Sequence, residues 1–217
     1  MPLLVLGKDI SNYAKIDPTL ASLRVTPRPV ETNRNYSHLS VPTGLITGVT
    51  AGSPVFQFQN MGPDLTVIKR VKICFTLTTA FGAAQYLDFG LIITRNITVY
   101  GTAGTLMTNV PLSGSNCKLA SDSYSNAYIN CRVSTTGTFG TVGTRTADTY
   151  YLGQTGAWMG AIGATIPLTT LFEATPGRYP ITLAPGEGIE IAPITSMGAT
   201  GVGILGITIE FADTAAY

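Results

Sequence analysis

Charge is what this chain has least of. Of its 217 residues only 12% are Asp, Glu, Lys or Arg, and the net charge is +1, against about 25% charged residues in an average soluble domain. Binding to phosphates needs clustered Lys and Arg, and the overall balance is not basic enough to argue for it, so we expect no nucleic acid partner. Histidine is nearly missing: His38 is the single one, which leaves no His-based triad and no multi-histidine metal site. Alone in a proline-rich stretch, it reads as a surface or packing residue. Cys74, Cys117 and Cys131 form no C-x-x-C pair and have no metal spacing. They read as free thiols of a protein folded in a reducing cytoplasm. No nucleophile elbow, phosphate loop or zinc motif occurs. Glu187 and Glu190 make a poor glycosidase pair, lying in and just after a turn with opposite parity. Asp122 and Asp148 lack the ligand cluster that calcium needs. We expect no enzyme, no metal and no cofactor.

Helical periodicity is also lacking, and the alternation of strands takes its place. In residues 65–79, Val67, Val71, Ile73, Phe75 and Leu77 share one parity, with Arg70, Lys72, Thr76 and Thr78 on the other. In residues 85–100, Leu87, Phe89, Leu91, Ile93, Ile97 and Val99 alternate with Asp88, Thr94, Asn96 and Thr98. A period of two with β-branched and aromatic residues on one parity predicts half-buried strands. Joined by the Gly/Ala stretch 80–85, the two read as a long hairpin whose apolar face the rest of the chain covers. Further strands are expected at 45–50, 55–59, 127–135, 178–191 and 202–211. The last has the cleanest alternation, Leu205, Ile207, Ile209 and Phe211, and an apolar strand of that length belongs in the middle of a sheet. Pro185-Gly186 suits the centre of a type II turn. Eight or so strands without a strand–helix rhythm predict an all-β fold, an antiparallel two-sheet sandwich, with jelly roll the preferred topology.

Two domains are expected: residues 1–42, an extended N-terminal arm, and 43–217, the sandwich. Pro2, Pro18, Pro27, Pro29 and Pro42 keep the arm from running as a central strand or long helix. Its apolar residues, among them Leu4, Leu6, Tyr13, Leu20 and Leu23, call for docking on its own domain or on a neighbouring subunit. The opening has no positive region ahead of a long apolar core, so it is not read as a secretory signal. Residues 149–172 carry no charge at all. A membrane segment would suit that, but the Thr, Gln, Pro and Gly within it leave it too polar. The expectation is a long loop or short helix whose Trp158, Met159 and Ile162 pack on the sandwich or on a partner; interface cores favour aromatics and Met.

Three stretches carry a family likeness: the opening Leu-Gly-Lys-Asp-Ile-Ser-Asn; Asn116-Cys-Lys-Leu with Ile129-Asn-Cys-Arg-Val-Ser-Thr-Thr and Gly143-Thr-Arg-Thr-Ala-Asp; and Ile181-Thr-Leu-Ala-Pro-Gly-Glu-Gly-Ile-Glu-Ile. Together they resemble virion structural proteins of tailed bacteriophages, of the β-sandwich type that decorates or cements the capsid. The resemblance implies a homo-oligomer, a trimer by preference, on the capsid surface of a virion assembled in the host cytoplasm. Its partners would be copies of itself and the major capsid protein or other virion proteins, with no membrane involved. Leu4, Leu6, Tyr13, Leu20, Leu23, Trp158 and Met159 are the expected interface residues. Two other roles remain open: a jelly-roll protein that forms the shell, and a carbohydrate- or receptor-binding module of a fibre or tail. In the last, Tyr86, Tyr100, Tyr124, Tyr128, Tyr150 and Tyr151 would offer stacking platforms.

Overall fold

A computed structural model describes residues 15–17, 22–24, 36–107, 129–137, 139 and 142–214. The chain divides into two compact units, Met1–Thr32 and Asn33–Tyr217. In the first, β1 (Lys15–Asp17) and β2 (Ser22–Arg24) pair antiparallel with Ile16 opposite Leu23.

The second unit contains β3 (Tyr36–Pro42), β4 (Phe56–Asn60), β5 (Leu65–Thr79), β6 (Gln85–Tyr100), β7 (Thr105–Leu106), β8 (Ile129–Val133), β9 (Gly143–Ala147), β10 (Gly153–Met159), β11 (Thr165–Glu173), β12 (Ile181–Leu183), β13 (Gly188–Pro193) and β14 (Val202–Thr214). No helix occurs among the described residues. The larger sheet runs β10-β6-β13-β4-β8-β7, with β9 beside β10 on the same flank of β6. The smaller runs β11-β5-β14-β3, with β12 also on β5. Every pairing is antiparallel. The apolar parity of each sheet faces the other, and their side chains form one core. Phe58 meets Phe211 edge-on at 4.8 Å, and Phe75 lies 5.5 Å from Phe89. All four rings are fully buried, each stabilising the fold by about 1.5–3 kcal/mol relative to exposure.

The expected hairpin over 65–100 is not one. Strands β5 and β6 are consecutive yet belong to opposite sheets. The short loop between them turns the chain across the end of the sandwich: Phe81 is buried in the core, and Gly82 donates its amide to Thr200 Oγ1 at 2.9 Å. The flank of β5 that β6 would have taken is filled by the whole of β14, a partner of 13 residues with matching alternation. As its pattern suggested, β14 is interior, between β5 and β3.

Residues 45–50 also differ from expectation, forming only an isolated bridge, Ile46 to Gly203. Here the chain changes sheets. Thr43 bonds to the Leu205 carbonyl of the smaller sheet at 2.8 Å, and Gly44 to Ser134, just past β8 of the larger, at 2.8 Å. Ile46 and Val49 are apolar because they cap the core's end. Of the stretch 1–42 read as an arm, residues 36–42 form β3, a sheet edge paired with β14, with Pro42 at its end, where a missing amide costs least.

Residues 149–172 are a pair of strands, β10 and β11, rather than a loop or short helix. The glycines of this segment allow close approach. A Cβ at Gly153 would stand 1.9 Å from the Leu171 carbonyl oxygen, so β10 and β11 can close one side of the sandwich only if residue 153 is bare. The turn Ala184–Glu187 forms as its Pro-Gly pair predicted, with Gly186 at φ 79° and the Glu187 amide donating to Ala184 at 3.0 Å. It too links the sheets, β12 in one and β13 in the other.

Two outcomes follow. Phe58→Ala should destabilise the protein by about 3–5 kcal/mol in denaturant titration, since it empties the centre of the interlayer contact. Burial pushes the Cys131 thiol well above its ordinary value of 9.0, so native Cys131 should resist alkylation in peptide-mapped labelling while Cys74, only half-buried, reacts. The unfolded chain ionises Cys131 first. Stability should therefore fall by about 1.4 kcal/mol per pH unit above that ordinary value, and Cys131→Ala should remove this slope.

Candidate interaction face

The outer surface of the larger sheet has two zones. The first is polar and sealed. Gln57, Gln59, Asn130 and Glu190 have the outward parity of β4, β8 and β13, yet all are buried, because the segments around Gly101 and Val142 lie over them. Arg145 on β9 reaches down to Glu190 through two bonds, Nε to Oε1 at 2.5 Å and Nη2 to Oε2 at 2.8 Å. Gln57 Nε2 donates to the same carboxylate at 2.7 Å and to the Val142 carbonyl at 3.0 Å. Asn130 Nδ2 donates to Gln59 Oε1 at 2.7 Å and to the Gly101 carbonyl at 2.9 Å, while Arg132 Nε donates to Asn130 Oδ1 at 2.9 Å. This network fastens β9 and the segment after β6 onto the sheet. Glu190 accepts from Arg145 and Gln57 and stands under cover, so it is placed as an anchor and not as an acid or base facing a substrate.

Other charges are also drawn into local clusters. Arg95 holds Asp148 through two bonds, at 3.0 and 3.2 Å, and Glu187 at 2.9 Å. The hydrogen bond to Asp148, then its charge, raises the Arg95 pKa above its ordinary value. On the smaller sheet Arg70 bonds Glu210 and lies 3.3 Å from Glu173, and His38 Nδ1 lies 3.5 Å from Glu210. His38 is thus a surface strand residue beside a carboxylate.

The second zone is apolar and open. Trp158 on β10 is 72% exposed, and its ring meets Tyr86 of β6 in a T-shaped contact at 6.0 Å. The two are cross-strand partners. Tyr150 and Leu152 lead into β10, Ile162 lies in the turn after it and Leu168 is on β11, all exposed. The border built by β10 and β11 therefore offers large apolar side chains and, from residue 149 to residue 172, no charge. Exposed apolar surface concentrated in this way marks an interaction site.

Of the residues expected at an interface whose side chains are described, Trp158 lies on this face. Met159, its neighbour, has opposite strand parity and is completely buried in the core, so it is withdrawn as an interface residue. Leu4, Leu6, Tyr13 and Leu20 lie outside the described residues, and Leu23 is seen as a backbone position of β2. Tyr86 and Tyr150, considered as stacking platforms, are exposed; Tyr151 instead packs its ring against Gly90. Leu168 was missed. Its signal was the neighbouring Pro167, which marks an edge strand where an apolar side chain can face outward. Among the described residues no group of three or more His, Cys, Asp or Glu is arranged to hold a metal. No helix there is long and apolar enough to cross a membrane.

No protein-family model matches the chain, and no curated protein is similar to it.

The two zones separate in mutagenesis. Glu190→Ala would leave Arg145 with an unpaired charge in a nearly closed site and should cost about 3–5 kcal/mol. Trp158→Ser should leave stability within about 0.5 kcal/mol of the parent, because the indole is mostly in water already. Thermal melts of the two variants side by side check both.

Proposed function

We propose that this protein is a non-enzymatic structural component of a bacteriophage virion. In this reading it assembles as a homo-oligomer on the capsid in a decoration or cement role, contacting neighbouring copies and the major capsid protein. The observation that carries the reading is the uncharged, aromatic border around Trp158 and Tyr86, on a sandwich whose Arg70, Arg95 and Arg145 are drawn into ion pairs of their own. A surface with few free charges and one apolar border suits permanent burial against protein better than it suits a soluble substrate.

The strand order supports a more specific reading of the fold as a jelly roll. The first strand of the body, β3, pairs with the last, β14, and the smaller sheet continues to β5 and β11; opposite it run β4, β13, β6 and β10. Four strands face four, and the chain steps from one sheet to the other as β3–β4, β4–β5, β5–β6, β10–β11, β12–β13 and β13–β14, in the manner of wound Greek keys. β7, β8 and β9 are additions to one sheet. Shell-forming capsid proteins use this topology, so it favours a second reading, in which the protein builds the shell itself.

Light scattering on a sizing column and co-sedimentation with capsids lacking the protein test these readings. A discrete oligomer that sediments with the capsids is expected, with Trp158→Ala or deletion of residues 1–30 reducing attachment. Closed shells from the protein alone would transfer the role to the shell. A species that neither assembles nor binds capsids would reject both.

A further inference from the structure

The strand at the border of the larger sheet is bare in a way the other edges are not. Edge strands expose unpaired amides and carbonyls, and monomeric proteins protect them with prolines, bulges, charged side chains or short length. Here β7 is two residues long and β12 three, and β3 ends in Pro42. β11, the corresponding edge of the smaller sheet, carries Pro167 and two register shifts. β9 has Arg145 at its centre, turned down onto Glu190.

β10 has none of these devices. It pairs with β6 in unbroken register from Gly153–Leu91 to Met159–Gln85, and among the described residues it has no strand on its other side. Its seven residues, Gly-Gln-Thr-Gly-Ala-Trp-Met, include no proline and no charge.

We propose that the free edge of β10 pairs antiparallel with β10 of a second copy of this chain, about a twofold axis at Gly156. This rests on the reading of the protein as a self-assembling structural component and gives that assembly its contact. The outward face of β10 is self-complementary about this point. Pairing centred on Gly156 sets each Trp158 across from the partner's Gln154 and diagonal to its Gly156, which has no side chain of its own and has the hydroxyl end of Tyr86 beside it. Tyr86 supports the indole from behind. Asp88, the nearest carboxylate, is one strand further in and accepts a bond from the Thr195 amide at 2.8 Å. Two copies thus meet without opposing like charges, while a strongly charged partner strand would find no counterion on β10. Joining the edges extends two six-strand paths into one continuous sheet and covers both Trp158 side chains.

The contact is isologous, so it predicts an even-numbered assembly. In light scattering on the full chain over a range of concentrations, dimers or multiples of dimers are expected. Gln154→Lys combined with Trp158→Lys sets like charges opposite each other twice across the axis, and should weaken association by roughly tenfold or more while leaving the fold intact by circular dichroism. Amide hydrogen exchange on the unmodified protein gives an independent reading: the outward amides of residues 153–159 should be protected in the oligomer and exchange freely on dilution to monomer. A trimer indifferent to the double variant, or a protein monomeric at every concentration, would overturn the pairing. So would protection of β10 that appears only when major capsid protein is added, because the edge would then belong to another chain. Conversely, a dimer with protected β10 that ignores capsids would keep the pairing and reject the virion role.

Discussion

The fold depends on two sheets burying the same parity against each other. Phe75 lies on Phe89 and Phe58 on Phe211, and each pair joins a strand of the smaller sheet to one of the larger. With the apolar side chains committed to that interlayer, the strands' other parity must face water or a cover. This division explains how the protein manages with so few charges. Neutral Thr and Ser suffice on an outward strand face, because the backbone there is already bonded within the sheet.

The few charges present act as fasteners. Arg145 crosses from β9 to Glu190 beneath it, and Arg95 ties Asp148, at the end of the β9 segment, to Glu187 in the turn before β13. Both arginines hold the same flap onto the larger sheet, one from inside and one from the surface. A buried ion pair adds little net stability over a well-packed apolar pair, yet it tolerates few alternative arrangements. Used here, it fixes where the flap sits. From residue 149 to residue 172 the β10–β11 border has no charge and leaves large apolar side chains exposed.

Alternation made the strands legible. Val71, Ile73, Phe75 and Leu77, and later Leu205 to Phe211, stated which side each strand would bury, and the structure buries those side chains. Which strands would be neighbours was not legible, because apolar parity says only that a face is inward. Both a hairpin and a crossing between sheets satisfy it, and the short 80–85 loop serves the crossing as readily. The segment 149–172 was misread for a related reason. Gly153 and Gly156 look like breakers until their close neighbours, Leu171 and Asp88, are known, and those contacts are distant in sequence. Trp158 was legible as an anchor by its chemistry, but Met159 was grouped with it by adjacency, when adjacent residues in a strand face opposite ways. The buried polar strip was also hidden. Gln57, Gln59 and Glu190 carry outward parity, and the overlying segments around Gly101, Val142 and Arg145 enclose them.

The placement of β14 has a consequence for how the molecule comes into being. It follows every other described strand in sequence and stands between β5 and β3, so the smaller sheet has a gap at its centre until β14 is in place. Because consecutive strands so often alternate between layers, few local pairings are available to hold the early segments meanwhile. Formation must close long loops before it gains its main contacts, which slows it and leaves apolar strand faces open to solvent in the interim. Until β14 is in place, a chain of this design has more need of a chaperone than a protein built from hairpins.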